Sequence, residues 1–138
     1  MHRFIEFENP VKTVEQAARR VAVDQIAKSI ILVDSNGFPL MVILGANRRI
    51  SYRKVKTLLE VKDVRLATGE EVLAYSGYPV GGVPPFNRVA RALMDQHVVK
   101  NKIVIVGGGD TNKLVELRTE DIIHGVNPII ADLTIGND

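Results

Sequence analysis

Two features of this chain could do chemistry: a lysine inside an apolar run, and an uncharged loop built from glycine and proline. The loop, SGYPVGGVPPF at residues 76–86, has three glycines and three prolines in eleven residues and no charge. Neither a helix interior nor a central strand takes that mixture, because glycine loosens the backbone and proline removes a hydrogen-bond donor. Gly81 and Gly82 carry no Cβ, so their N–H groups can approach a bound ligand closely. Pro84 and Pro85 fix the dihedrals that follow, which lowers the entropy lost when the loop is held in one shape. Two exposed, preorganised N–H groups make an oxyanion site, and losing one such donor typically costs about 3 kcal/mol of transition-state stabilisation. The same composition also suits a tight structural crossover.

The lysine is Lys28, which interrupts the apolar run QIAKSIILV. A charged group there is normally excluded or reaches back to water. Its ammonium suits a phosphate or a polarised carbonyl at a pocket mouth, unless it is simply an outward residue on a half-exposed strand. Other constellations fail. GGGDTNK, residues 107–113, has neither the Walker spacing nor the dinucleotide glycine spacing. His2, His97 and His124 have no metal-ligand spacing, and Ser76 lacks the glycines of a nucleophile elbow. With no cysteine, disulfides, thiolate ligands and a cysteine nucleophile are excluded. No metal or cofactor is expected.

Charge adds a third candidate surface. A net charge of +2 implies nothing about nucleic acid by itself, but residues 48–56, RRISYRKVK, hold five basic side chains and no acidic one. That run is either a solvated helix face or a contact for a phosphate backbone, with Tyr52 the one aromatic available for base stacking. The N-terminus, MHRFIEFENP, has no apolar signal-peptide core, and no apolar run approaches the ~20 residues of a membrane span. A cytoplasmic protein with no membrane contact is expected.

The elements that must position these residues follow from periodicity and caps. Thr13 with Gln16 makes a capping box heading an alanine-rich helix. QIAKSIILV reads as a buried strand, SNGF as its turn and PLMVIL as its hairpin partner. Residues 51–60 look helical, with Val55, Leu58 and Leu59 on one face and Arg49, Arg53 and Lys56 on the other. VRLAT is a short strand, and Thr68 with Glu71 caps a helix that stops at Gly77. VARALMDQ is ambiguous between helix and strand. KIVIVGGG and KLVELR form a hairpin, TEDIIHGV a short helix and PIIADLTI a closing strand. This interleaving, with its tight hairpins, favours one α+β domain over residues 1–138 with a mixed sheet, rather than a doubly wound parallel sheet.

In order, TVEQAA, QIAKSIILV, VRLATGEEV, SGYPVGGVPPF, GGGDTNKLVEL and a final ADLT resemble the YbaK family, free-standing relatives of the editing domain inserted in bacterial prolyl-tRNA synthetases. The resemblance spans about residues 13–134, and the lysine strand together with the GYPVGG loop makes it specific. It implies a compact α+β fold with a curved, barrel-like mixed sheet and flanking helices. It also implies an aminoacyl-tRNA deacylase that uses no cofactor. Lys28 matches the family's essential lysine, Gly81 and Gly82 its catalytic loop glycines, and Lys54 a recurrent lysine of the basic helix. On this basis Lys28 anchors the terminal adenosine or its phosphate, and the backbone around Gly81, Gly82 and Val83 holds the ester carbonyl. Ile26, Ile30, Gly108 and Gly109 are the further candidates for substrate contact, and Arg49, Arg53, Lys54 and Lys56 for tRNA. The partners expected are a tRNA acceptor end and a prolyl-tRNA synthetase.

The chain also departs from the family. Gly107 and Leu114 stand where YbaK has a serine and an aspartate, which shifts the expected substrate from cysteinyl toward alanyl or another small residue. Asn87-Arg88 replaces a common Gly-His, and Asp95 matches a recurrent aspartate after a strand, favouring strand for RALMD and a structural role. Editing has a physical rationale, since one methylene discriminates by only ~1–3 kcal/mol. The competing expectations are a non-catalytic tRNA- or synthetase-binding module and a metabolic hydrolase of small esters or amides.

Overall fold

The structure is a computed structural model describing residues 2–6, by their backbone pairing, and residues 25–136. The capping box expected at Thr13 and Gln16 lies outside the described residues.

A hairpin organises the main sheet. Strand β2 (Ala27–Asp34) pairs antiparallel with β3 (Pro39–Gly45), with Lys28 opposite Leu44. The expected turn closes it: Gly37 takes φ 85°, and the Asp34 carboxylate accepts the N–H groups of Asn36 and Phe38 at 2.9 and 3.0 Å. Glycine reaches that left-handed region without the Cβ penalty. Arg91 ion-pairs with Asp34 at 2.8 Å, offsetting burial of the carboxylate. The five-stranded sheet has the order β5-β2-β3-β6-β9, where β5 is Val64–Leu66, β6 Ala92–Asp95 and β9 Ile129–Ala131. Its β3–β6 and β6–β9 pairs are parallel, so the sheet is mixed as expected. The ambiguous VARALMDQ resolves to strand.

An antiparallel three-stranded sheet joins β1 (His2–Glu6), β8 (Lys113–Arg118) and β7 (Ile103–Gly107). A parallel bridge from Ile26 to Ile105 ties it to the main sheet. Strand β1 was not expected, because its mixed residues carry little periodic signal and only β8 recruits them. A third, two-stranded sheet pairs β4 (Arg48–Ile50) with β10 (Thr134–Gly136). PIIADLTI is therefore two strands in two sheets, not one. The break falls where Leu133 turns fully inward, its N–H donating to the Asp95 carboxylate at 2.9 Å and its carbonyl accepting from Ser51 at 2.8 Å.

The three described helices are α1 (Tyr52–Leu59), α2 (Gly69–Ser76) and α3 (Thr119–Val126). Helix α1, capped by Ser51, buries Val55, whereas Leu58 is exposed, so its apolar stripe is narrower than the periodicity suggests. Arg49 lies in β4 instead of on the helix. Helix α2 begins with the Thr68–Glu71 capping box and ends at Gly77, φ 87°, both as expected. No described helix is long and apolar enough to cross a membrane.

The central strands of the main sheet are covered on both faces, whereas its edge strands β5 and β9 are largely exposed. Ala27, Ile31 and Val33 of β2 pack into one cluster with Val83, Val104 and Val106. Leu32 packs into the other with Leu40, Val42, Leu44 and Val55, and Ile30 leans on it. A strand buried on both faces reads as an unbroken apolar run, which is why IILV shows no alternation.

The α2 cap makes a testable prediction. Glu71 accepts the Thr68 N–H at 2.9 Å and pairs with Arg65 at 2.7 and 2.8 Å. The Arg65 guanidinium, then the Thr68 N–H, pull the Glu71 carboxyl down from 4.5 to about 2. A lowered folded-state value stabilises the fold above the unfolded one and is lost as pH falls through the folded one. Glu71→Gln keeps a cap but loses the charge. Its deficit in urea midpoint relative to wild type should be constant above pH 4.5 and shrink toward pH 2. A deficit that does not change with pH would refute the assignment.

Candidate active site

The loop is held by a clasp against the β7–β8 turn. Pro79 to Gly82 form a tight turn in which the Gly82 N–H donates to the Pro79 carbonyl at 3.0 Å and Gly81 takes φ 85°. The Gly82 carbonyl then accepts the Gly109 N–H at 2.9 Å. An added Cβ on Gly82 would sit 3.0 Å from the Asp110 backbone, and one on Gly107 would sit 2.9 Å from the Val83 carbonyl oxygen. Glycine at these positions lets two backbones touch. Val83 is buried in the first core cluster, fastening the loop from below.

The clasp decides which amides remain available. Gly82 donates to Pro79, Gly108 to the Lys113 carbonyl and Gly109 to Gly82. Among the described residues, the N–H groups of Gly81 and Val83 make no hydrogen bond. Of the five backbone candidates, those two are left with a donor.

Neighbouring side chains hold the loop ends. Ser76 is fully buried, donating to the Val72 carbonyl at 2.6 Å and accepting from the Tyr78 N–H at 3.1 Å, so it is a helix-end brace. Asn87 donates to the Pro84 carbonyl at 2.8 Å and accepts from the Val89 N–H at 2.8 Å. Arg88 donates to the Ala74 carbonyl at 3.2 Å and lies against Gly77. The departure at these two positions is thus built into the scaffold.

Lys28 lies elsewhere. The alternation that sends Ala27 and Ile31 toward Val83 sends Lys28 and Ile30 to the opposite face of the sheet. There Lys28 lines a shallow recess of about 440 Å³ with Ile30, Leu44, Arg49, Tyr52 and Ile135. The structure therefore brings Lys28 together with Arg49 and Tyr52, not with the loop glycines. Nor does it gather the two isoleucines, because Ile26 lines a separate recess beside His97.

The basic residues divide. Arg49 shares the recess with Lys28, while Arg53 is exposed on α1. Lys56 stands 3.9 Å from Asp63. The Lys54 ammonium is bound by both Asp132 oxygens at 3.0 and 2.9 Å and by the Thr134 carbonyl at 3.0 Å, and in turn lowers the Asp132 carboxyl. Lys54 ties α1 to the β9–β10 connection.

One polar atom had no signal in the sequence. Asn112 Oδ1, on the turn that clasps the loop, is buried without a hydrogen-bond partner, alone among the described side chains. A buried acceptor left unmade carries a desolvation penalty of about 1–3 kcal/mol, so such an atom invites a ligand donor. An asparagine in a turn ordinarily reads as turn chemistry, which is why it passes unnoticed. No group of three or more potential metal-ligating His or carboxylate residues occurs among the described residues.

Comparison with known proteins agrees with the resemblance read in the sequence. The model of the aminoacyl-tRNA editing domain matches residues 8–124. The proline–tRNA ligase of Thermotoga neapolitana is 31% identical over 100 residues, covering 71% of this chain and 17% of the ligase. The chain thus spans about a sixth of such relatives. The uncharacterized protein YwhH of Bacillus subtilis is 27% identical over 121 residues, covering 85% of this chain and 76% of YwhH. Among solved structures, the hypothetical protein APE2540 superposes with a TM-score of 0.89 at 30% identity, covering 98% of this chain and 92% of the other. A proposed trans-editing enzyme for prolyl-tRNA synthetase superposes at 0.87 with 26% identity, covering 98% and 87%.

The clasp is open to a stability test. Gly82→Ala forces a methyl against backbone that cannot swing away, so urea unfolding should show a loss of roughly 1–3 kcal/mol. Gly69→Ala starts α2 where the added Cβ meets only Val80 at 3.9 Å, and should be neutral or stabilising. Equal losses for the two would show that the clasp is not what Gly82 serves.

Proposed function

Because this chain belongs to the aminoacyl-tRNA editing domain family, we propose that it is a trans-acting deacylase that hydrolyses the ester of a tRNA mischarged with a small amino acid, alanyl or cysteinyl. The observation that carries this reading is the pair of unengaged amides, Gly81 and Val83, on a loop already held rigid by its clasp. Water adds to the ester carbonyl, and the two N–H groups receive the charge that builds on oxygen. The carbon–oxygen bond to the ribose then breaks, the departing oxygen taking a proton. The neighbouring ribose hydroxyl or the substrate's amino group relays that proton. The buried Asn112 Oδ1 accepts a hydrogen bond from the α-ammonium.

In this reading Lys28 serves the nucleic acid. With Arg49 and Tyr52 it offers two cations and an aromatic face over an apolar floor, which suits phosphates and a stacked base. Arg53 and Lys56 extend that surface along α1. The substrate places the reaction in the cytoplasm, and a prolyl-tRNA synthetase is the partner that supplies the choice of tRNA.

A non-catalytic module that binds tRNA or a synthetase is the second reading. It is favoured by the structural explanation that Gly81, Gly82 and Gly107 each already have.

Deacylation of Ala-, Cys- and Ser-charged tRNA separates the two. Wild type should release amino acid. Asn112→Leu should lower kcat/KM by about tenfold or more, the value of one hydrogen bond to a charged group. Lys28→Ala should raise KM more than it lowers kcat. Binding of tRNA without release from any charged form would establish the module instead.

A further inference from the structure

At the end of β7 remote from Gly107, a second polar centre lies outside both surfaces above. Asp95, at the end of β6, is fully buried. One of its oxygens accepts the Leu133 N–H at 2.9 Å. The other accepts His97 Nδ1 at 2.8 Å and the His97 backbone N–H at 3.3 Å. Arg48 Nε stands 3.9 Å from that second oxygen and donates to Thr134 Oγ1 at 2.6 Å. The guanidinium occupies the space a Cβ on Gly136 would need, so residue 136 must be glycine for Arg48 to lie here.

With Nδ1 directed at Asp95, the imidazole presents Nε2 on its other edge. His97 borders a recess of about 170 Å³ whose polar lining is Asn47, Arg48, His97, Lys100 and Asn101. Ile26, Val98 and Val104 wall its apolar side. No carboxylate lines it; Asp95 lies beneath, its oxygens turned to the protein. Two permanent cations and an oriented imidazole, with amides beside them, converge on a space of a few heavy atoms.

We propose that this recess binds a phosphate group, held by His97 Nε2, the Lys100 ammonium and the Arg48 guanidinium. A tetrahedral anion accepts donors from several directions at once, which this lining supplies. The buried Asp95 fixes the ring so that Nε2 is turned from the protein interior toward the recess, and the apolar wall accepts whatever small group the phosphate carries. The group is either that of a free phosphomonoester or a phosphodiester of a nucleic-acid strand. The recess lies at the opposite end of β7 from the loop, so its occupancy does not depend on the deacylase reading.

Titration with inorganic phosphate, and separately with a short single-stranded RNA, followed by NMR at the His97 ring, tests this. A saturable shift is expected with at least one probe. Saturation with phosphate alone identifies a free monoester site, and saturation with RNA a strand contact. Lys100→Ala, which alters only an exposed side chain, should weaken binding by about tenfold or more, as for one lost charge-assisted hydrogen bond. Lys62→Ala, exposed between α1 and β5, should leave binding unchanged. The proposal is overturned if neither probe saturates, or if Lys62→Ala weakens binding as much as Lys100→Ala.

Discussion

One backbone contact governs the candidate site: the hydrogen bond from the Gly109 N–H to the Gly82 carbonyl, 2.9 Å long. Two segments that carry no side chains at their meeting point come close enough for main chain to touch main chain. Everything around them follows from that approach. Gly82 and Gly107 admit it because a methyl at either would strike the facing backbone. Gly81 turns the chain back with a positive φ, and the buried Val83 fixes the exit. Once the clasp has used the amides of Gly82, Gly108 and Gly109, the loop has few donors left. Those few sit on a frame fastened by main-chain hydrogen bonds and by the buried Val83. Preorganisation is the property that makes a backbone amide useful to catalysis.

A sheet whose central strands are covered on both faces imposes the second constraint. Strand side chains alternate with period two, so neighbours in sequence are sent to opposite sides. Lys28 and the glycine loop belong to one recognisable pattern of residues, yet the sheet stands between the lysine and Val83. The lysine instead gathers Arg49 from β4 and Tyr52 from α1 into a cationic recess with an apolar floor. In the proposed deacylase, the loop takes the acyl group and this separate recess takes the polyanion. This division suits a substrate whose reacting ester is a small part of a large charged molecule.

Asp95 is the third organising element. A buried carboxylate is costly unless several partners offset it. It draws the Leu133 N–H, the His97 ring and backbone, and the neighbouring Arg48 around it, so that β6, β4 and the β9–β10 connection meet at one charge. Its demand for the Leu133 N–H is part of why the last apolar run cannot continue as one strand. The imidazole it orients is thereby held facing the small recess.

Local chemistry was enough for much of this molecule. The Asn-Gly turn between β2 and β3, the Thr68–Glu71 box, the Gly77 stop and the β7–β8 hairpin all declare themselves within a few residues, because caps and tight turns are satisfied by near neighbours. The family pattern was equally readable, since it consists of residue types in order. What folding alone decided was which residues share a space. That Lys28 faces away from the loop depends on the layers packed on each side of β2. The commitment of the Gly82 amide, the orphaned Asn112 oxygen and the convergence of His97 with Arg48 arise from partners far along the chain. No periodicity within a segment encodes a partner that reaches it only when separate sheets are brought together.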